Sequence, residues 1–285
     1  MTHALLSSVP PIPLVSCRST RVFAPLRPER IPQKASQLRE ARGFATSRPQ
    51  AARSKLFDGL FGFWTLLQAP LIPCLALAHR PSFVRAAIRF WTAGFSLLSR
   101  GILRQRVREV GLENKHLDRP CIYVCNHQST WETLAFNRLV PDICIIAKHE
   151  LRRIPIFGWF LAHAPMILID RGGGGRALAG MITQAREEAA KGRSILIFPE
   201  GTRVGVDDRC AFQPGLIALY RKLGLPIVPV AHNAGHVWRK GVKTEGTITV
   251  AYFPAIPPGR PAAEAIAQVE ALLNVEKDRL APAMS

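Results

Sequence analysis

The sequence lacks the residue patterns that identify most nucleic-acid-binding and cysteine-based metal proteins. Its six cysteines include no C-x-x-C pair, so neither a zinc-finger motif nor a disulfide framework is indicated. No heptad repeat follows a basic region, and no RNA-binding aromatic motif is present. Cys121, Cys125 and Cys144 lie in short apolar runs, where we expect small buried side chains. We therefore expect no nucleic-acid partner, no metal site and no bound cofactor.

Acidic residues are scarce: 20 Asp and Glu stand against 38 Lys and Arg, and the formal net charge is +18. Such a charge indicates an anionic partner, which could be nucleic acid, phospholipid headgroups or a phosphorylated substrate. Because the basic residues lie beside long apolar stretches, a phospholipid membrane surface fits better than nucleic acid. The 285 residues, 48% of them apolar, suffice for one large domain or two small ones.

Composition divides the chain into three parts. Residues 1–53 hold nine basic residues against two acidic ones and no sustained apolar period, which predicts a disordered basic segment. The same composition is typical of an organelle transit peptide, and a start codon chosen too far upstream is a further explanation. Residues 54–110 are predicted to form a membrane-associated helical pair, and residues 111–285 an α/β domain.

The predicted helical pair contains one long apolar stretch and one amphipathic stretch. Positions 56–79 are mostly apolar but include Pro70 and Pro73, so spanning the bilayer and lying in its interface remain alternatives. Further on, Ile88, Trp91 and Phe95 recur at helical spacing among arginines. This pattern predicts either a basic amphipathic helix on a membrane or a helix that packs on the protein core.

From residue 118 onward, short apolar runs alternate with helical or polar stretches. Strands are predicted at CIYVC, ICIIA, MILI, SILIF, PIVPVA and TITVAYF. This alternation is typical of an α/β fold with a mostly parallel central sheet flanked by helices. Ligands of such sheets bind beyond the carboxyl ends of the strands. Three polar clusters follow predicted strands: NHQSTWE, DRGGGG and PEGTR.

The cluster NHQSTWE places His127 and Glu132 five residues apart. On one regular helix the two side chains would point about 140° apart, so they meet only if His127 precedes the helix and Glu132 lies in its first turn. A catalytic pair is one interpretation. A purely local role is the other, since the four residues from Ser129 to Glu132 also fit a helix capping box.

Two of these clusters carry a family resemblance. NHQSTWE and FPEGTR, in this order, resemble the signature blocks of the glycerolipid acyltransferases, in particular the 1-acylglycerol-3-phosphate acyltransferases. ILIDR at 167–171 and IVPV at 227–230 look like two further blocks, so the resemblance covers residues 80–260. The family usually has Asp where this chain has Glu132. The longer side chain implies a backbone adjustment or a different helix start.

The resemblance implies transfer of an acyl chain from an acyl-CoA or acyl carrier protein thioester, which is a co-substrate. The acceptor would be the sn-2 hydroxyl of the lysophospholipid 1-acyl-glycerol 3-phosphate, and the product phosphatidic acid for phospholipid biosynthesis. His127 would be the general base, since the pKa of an unperturbed imidazole is typically about 6.5. Glu132 would accept the other ring N–H and orient the imidazole. The resemblance implies that Glu200 and Gly201 contribute to acceptor binding, and Thr202 of the same motif is assigned to the acceptor with them. Arg203, Arg171 and Lys148 each follow a short apolar run, so these cations could converge on the acceptor phosphate; an ordinary surface charge is the alternative for each.

Other functions remain open at this point. The acceptor could be another lysolipid or glycerol 3-phosphate. A lipid hydrolase, in which His127 activates water, and a non-enzymatic membrane-binding protein are alternatives of other classes. The expected location is the cytoplasmic face of a bacterial inner membrane, with a mitochondrial membrane as the alternative.

Overall fold

The computed structural model describes residues 47–71, 74, 81–154, 158, 166–239 and 241–281, with the backbone alone at Pro81 and Arg171. The described helices are α1 (Arg48–Gln68), α2 (Pro81–Gly101), α3 (Trp131–Leu139), α4 (Gly174–Ala190), α5 (Gly215–Leu223), α6 (Ala234–Val237) and α7 (Ala262–Arg279). The described strands are β1 (Gln105–Val110), β2 (Ile122–Cys125), β3 (Cys144–Lys148), β4 (Met166–Ile169), β5 (Ile195–Ile197), β6 (Ile227–His232), β7 (Trp238–Arg239), β8 (Val242–Lys243) and β9 (Gly246–Tyr252).

Within the described residues, the central sheet contains seven strands in the order β1-β9-β6-β2-β5-β3-β4. The strands β6, β2, β5, β3 and β4 are mutually parallel. Strand β9 pairs with β6 in antiparallel orientation, and β1 pairs with β9 in parallel orientation. The prediction of an α/β fold with a mostly parallel central sheet is confirmed. Strand β2 lies at the centre of the sheet, so the loop that follows it is surrounded by neighbouring strand ends.

Helices cover both faces of the sheet. Because successive strand residues point to opposite faces, Tyr123 and Cys125 pack on one side and Ile122 and Val124 on the other. The first side is covered by residues of α1, α2 and α3, among them Phe57, Trp91, Phe95, Trp131 and Phe136. The second side is covered by residues of α4, α5 and α7, among them Met181, Ala185, Leu216, Leu219, Val269 and Leu273.

Two boundaries assigned from composition differ from the observed elements. Helix α1 begins at Arg48 and runs without interruption to Gln68, so residues 48–53 belong to a helix rather than to a disordered segment. Its start has a proline in the first turn, where the fixed φ of proline suits a helix and no N–H is needed. Strand β1, which precedes residue 111, forms the edge of the central sheet. Residues 1–46 lie outside the described part.

Helices α1 and α2 are joined by two indole hydrogen bonds. The Nε1–H of Trp64 donates to the carbonyl of Trp91 at 3.1 Å, and the Nε1–H of Trp91 donates to Oγ1 of Thr65 at 3.0 Å. Gly94 makes this close approach possible, because a Cβ there would lie 2.2 Å from Nε1 of Trp64. The buried aromatic side chains of the two helices, Phe57, Trp91 and Phe95, therefore pack as one layer on the sheet.

The amphipathic stripe that suggested a lipid-facing helix is buried inside the protein. Ile88, Trp91 and Phe95 of α2 have exposed fractions of 9%, 7% and 1%, so for these residues the core-packing interpretation holds. Their arginine neighbours Arg85 and Arg89 form ion pairs with Asp142. A sequence pattern cannot separate a lipid-facing stripe from a protein-facing one, since both are apolar. Among the described residues, no helix combines the length and the apolar character needed to cross a bilayer.

Candidate active site

The loop from Asn126 to Thr130 leaves the carboxyl end of β2 and enters α3. His127 lies in this loop, and Glu132 lies in the first turn of α3. Nδ1 of His127 is 2.8 Å from Oε1 of Glu132. The arrangement that the five-residue spacing requires, with the histidine ahead of the helix, is therefore present.

Glu132 also accepts hydrogen bonds from the backbone that leads into α3. Its Oε1 accepts hydrogen bonds from the backbone N–H groups of Gln128 and Ser129 at 2.8 and 2.7 Å, and its Oε2 accepts from the hydroxyl of Ser129 at 2.5 Å. The Oγ of Ser129 in turn accepts from the backbone N–H of Trp131 at 3.1 Å. The bond from the Ser129 N–H back to Glu132, which is the carboxylate half of the predicted capping box, and the imidazole contact therefore coexist on one carboxylate.

The Glu132 carboxylate is fully buried, yet it stays ionised. Burial by itself favours the neutral acid. Attraction to the imidazoles of His232 and His127, and hydrogen bonds from His127 and Ser129, outweigh it and lower the pKa of Glu132 to about 2. A buried anion that accepts from Nδ1 fixes the neutral His127 as the Nδ1–H tautomer.

The remaining ring nitrogen of His127 is available for chemistry. With Nδ1 donating to Glu132, Nε2 carries a lone pair, and within the described residues no hydrogen bond to Nε2 is formed. The side chain is 16% exposed. Phe198 stacks on the ring with a centroid distance of 4.3 Å and an interplanar angle of 17°. An accessible proton acceptor of fixed orientation is the requirement for a general base.

The turn after β5 lies against the same loop. The backbone N–H of Val204 donates to the carbonyl of His127 at 2.8 Å, and the N–H of His127 approaches Oε1 of Glu200 at 3.4 Å. Gly201 has a φ of 70°, a left-handed conformation that glycine adopts without steric cost. Both polar clusters therefore meet at the carboxyl edge of the parallel strands.

Glu200 is buried beside this turn. Its Oε2 has no hydrogen-bond partner among the described residues. Burial, reinforced by the nearby Glu132 carboxylate, raises the pKa of Glu200 to about 7. Glu200 can therefore be neutral or charged near neutral pH, and its unpaired oxygen can accept from or donate to a hydroxyl.

The cations predicted to bind a phosphate are distributed along the sheet edge. Arg203 is exposed and, within the described residues, has no ion-pair or hydrogen-bond partner. It precedes Val204, whose N–H binds the His127 carbonyl, so the backbone of Arg203 lies near the loop that carries the base. Thr202 is exposed in the same turn.

Lys148 and Arg171 lie farther along the edge. Lys148 ends β3, two strands from β2, which corresponds to about 10 Å at the usual strand spacing, and its Nζ pairs with Glu150 at 3.1 Å. Arg171 follows β4, one strand beyond, and only its backbone is described. The three cations follow strands that end at one edge of the sheet, and the backbone of Arg203 adjoins Val204, which binds the His127 carbonyl.

Sequence reasoning missed two side chains that contact the site. Phe198, the first residue of FPEGTR, stacks on the His127 ring. His232 ends β6 directly beside β2 and is completely buried. One feature of the sequence could have indicated His232. It follows the apolar run IVPVA, so it lies at the carboxyl end of a predicted strand, as the polar clusters do.

The chain is similar to known proteins. A family model described as acyltransferase matches residues 106–233. A 1-acyl-sn-glycerol-3-phosphate acyltransferase of Pseudomonas aeruginosa is 38% identical over 216 residues, which cover 74% of this chain and 82% of that protein. The beta form of the human enzyme of that name is 31% identical over 143 residues, 49% of this chain and 51% of the human protein.

A solved structure supports the fold. The crystal structure of the 1-acyl-sn-glycerophosphate (LPA) acyltransferase from Thermotoga maritima matches with a TM-score of 0.63 over 83% of this chain and 99% of that one. At 22% identity this match bears on the fold alone. With the extensive match to the Pseudomonas protein and the matched family model, the chain belongs to the acyltransferase family that includes the 1-acyl-sn-glycerol-3-phosphate acyltransferases.

Proposed function

We propose that this protein transfers an acyl chain from a thioester to the sn-2 hydroxyl of 1-acyl-glycerol 3-phosphate and so makes phosphatidic acid for phospholipid biosynthesis. The observation that carries the proposal is the pair formed by His127 and Glu132, with Nδ1 held at 2.8 Å and Nε2 available. The relatives named for this reaction, from Pseudomonas aeruginosa and human, support the choice of acceptor.

The chemistry follows from the protonation states. Nε2 of His127 takes the proton of the acceptor hydroxyl as its oxygen bonds to the thioester carbonyl carbon. The resulting imidazolium is stabilised by the Glu132 carboxylate. When the tetrahedral intermediate collapses, the C–S bond breaks, the ester forms, and the thiolate receives the proton from His127. The thioester is already activated, so the reaction requires no bound cofactor beyond this co-substrate, and direct attack needs no acyl-enzyme.

The acceptor phosphate binds to Arg203, with Lys148 and Arg171 as further cations along the edge. Arginine suits this role because its planar guanidinium donates two parallel hydrogen bonds to phosphate oxygens. Glu200 positions the glycerol backbone through its unpaired Oε2. Gly201 and Thr202 shape the turn that brings the lipid backbone to His127.

The helical pair brings the site to its lipid substrates by lying on a phospholipid surface. Large apolar side chains that are exposed on α1 are Leu56, Leu60, Phe63, Leu66 and Leu67, and those on α2 are Phe83, Phe90 and Leu97. Inserting each half-exposed side chain into lipid is favourable by about 1 kcal/mol. The net charge of +18 adds attraction to anionic headgroups. We place the protein at the cytoplasmic face of a bacterial inner membrane, or at a mitochondrial membrane.

An acyl-transfer assay on the purified protein tests the function. Acceptors are lysophosphatidic acid, lysophosphatidylcholine and glycerol 3-phosphate, each offered with acyl-CoA and with acyl carrier protein, and products are identified by mass spectrometry. We expect phosphatidic acid from lysophosphatidic acid, and no product from the His127→Ala variant. Release of free fatty acid at the same rate without acceptor would identify a hydrolase. Acylation of another lysolipid alone would replace the proposed acceptor.

A further inference from the structure

His232 and Asn126 form a closed set of hydrogen bonds behind the catalytic loop. The backbone N–H of His232 donates to Oδ1 of Asn126 at 2.9 Å, and Nδ2 of Asn126 donates to the carbonyl of His232 at 3.0 Å. Nε2 of the His232 ring lies 2.8 Å from the carbonyl oxygen of Asn126. Asn126 immediately precedes His127, so these contacts determine where the peptide that carries the base lies.

The second ring nitrogen fixes the tautomer of His232. Nδ1 accepts a hydrogen bond from the backbone N–H of Ala234 at 3.1 Å and therefore carries no hydrogen. Nε2 consequently carries the hydrogen and donates it to the Asn126 carbonyl. The ring is completely buried, which lowers its pKa and favours the neutral form. In this form both ring nitrogens are satisfied.

The same ring reaches the other end of the catalytic loop. Nε2 of His232 lies 4.0 Å from Oε2 of Glu132, and the rings of His232 and Trp131 are 6.2 Å apart between centroids. His232 therefore contacts the residue before the base and the residues that begin α3. The ring therefore lies against both ends of the loop that carries His127 and leads to Glu132.

We propose that His232 is a positioning residue for the His127–Glu132 pair, acting through its Nε2–H donation to the Asn126 carbonyl; this inference rests on the proposed acyl transfer. His232 does not touch substrate, because it is sealed beneath the loop. Its effect is geometric: reacting atoms must be placed within fractions of an ångström, and a displacement of 1 Å lowers a rate by about 10²-fold.

Two substitutions separate the two ring contacts. In His232→Gln, the longer amide places its nitrogen near the position of Nε2 and retains donation to the Asn126 carbonyl. In His232→Asn, the shorter amide reaches only the position of Nδ1 and retains acceptance from Ala234. We expect His232→Gln to keep kcat within threefold of wild type, whereas His232→Asn lowers kcat by about 10- to 10²-fold. The KM for lysophosphatidic acid should stay within twofold in both, since neither touches substrate.

The matched control is His236→Gln, which changes a half-buried histidine four residues along the chain and should leave kcat unchanged. Equal values of kcat for the Gln and Asn variants, whether both normal or both reduced, would overturn the inference. So would a rise in KM that accounts for the whole loss. Full activity of His127→Ala, measured in parallel, would instead contradict the proposed function, so the two failures are distinguishable.

A measurement on the wild-type protein tests the inference even if a variant fails to fold. Imidazole ¹⁵N chemical shifts of histidine-labelled protein in detergent report the tautomer of each ring. We expect one neutral Nε2–H ring for His232 and one Nδ1–H ring for His127 at pH 8. An Nδ1–H tautomer or an imidazolium at His232 would contradict the donation to Asn126 on which the inference depends.

Discussion

Replacing Glu132 by Gln removes the charge behind the base with little change in shape. In the wild-type protein Oε1 accepts from Nδ1 of His127 at 2.8 Å. In the variant the amide oxygen can keep the N–H contacts, and the amide nitrogen can donate to the hydroxyl of Ser129. What disappears is the attraction between the carboxylate and the imidazolium that forms during attack.

The size of the effect follows from the charge separation. With the two charge centres about 4 Å apart and an effective dielectric constant of about 20, the attraction amounts to about 4 kcal/mol. Because each 1.36 kcal/mol in the barrier is a factor of ten, we expect kcat to fall by about 10³-fold. The KM values for both substrates should remain within about twofold, since Glu132 is buried and touches neither of them.

Glu132→Asp is the matched comparison, because it keeps the charge and shortens the side chain by one methylene. Thiol release from acyl-CoA with saturating lysophosphatidic acid measures kcat, and thermal unfolding verifies that each variant is folded. Charge stabilisation predicts that the Asp variant is faster than the Gln variant. A Gln variant as active as wild type, or faster than the Asp variant, would refute the reasoning.

Three further outcomes follow from the structure. The pKa of Glu200 in the folded protein is about 7, above the ordinary value of 4.5 that the group has in the unfolded chain. The stability associated with its neutral form is therefore fully present below pH 4.5 and is lost as the pH rises to 7. The Glu200→Gln variant should therefore have a higher free energy of unfolding than wild type, by up to about 3 kcal/mol at pH 8 and by much less at pH 5. Denaturant unfolding at the two pH values measures this difference, and an equal difference at both would contradict the raised pKa. Arg203→Ala should raise the KM for lysophosphatidic acid about tenfold without lowering kcat, and the exposed Arg221→Ala should do neither; steady-state kinetics in which both variants behave alike would exclude a phosphate site at Arg203. Leu97→Glu should weaken sedimentation with anionic vesicles while leaving the melting temperature unchanged, in contrast to Leu117→Glu outside the helical pair; equal losses in the two variants would argue against insertion by α2.

Much of the fold was predictable because strand and helix periods are local properties. The runs CIYVC, MILI and PIVPVA, which were predicted to be strands, correspond to β2, β4 and β6. The antiparallel course of β9 was not predictable, since strand direction depends on contacts between distant segments. The burial of the apolar stripe of α2 was also not predictable from the sequence. Tertiary packing decides whether lipid or protein covers such a stripe.

The site was predictable to the extent that one short motif encodes its own geometry. The spacing between His127 and Glu132 allowed contact only across a helix start, and the capping-box pattern supplied that start. From the sequence, the catalytic and the capping roles of Glu132 are alternatives, because a sequence does not show that one carboxylate can serve both. His232 could not be found in this way, since its contact with Asn126 joins residues 106 positions apart.

The central claim is that Nε2 of His127 removes the proton of the acceptor hydroxyl. The most direct measurement is kcat of His127→Ala for acyl transfer to lysophosphatidic acid at saturating substrates, with thermal unfolding as the folding check and His116→Ala as the histidine control. The account predicts a folded variant whose rate is reduced by at least about 10³-fold, and a control with the wild-type rate. A folded His127→Ala variant that retains a tenth or more of the wild-type kcat would contradict the account.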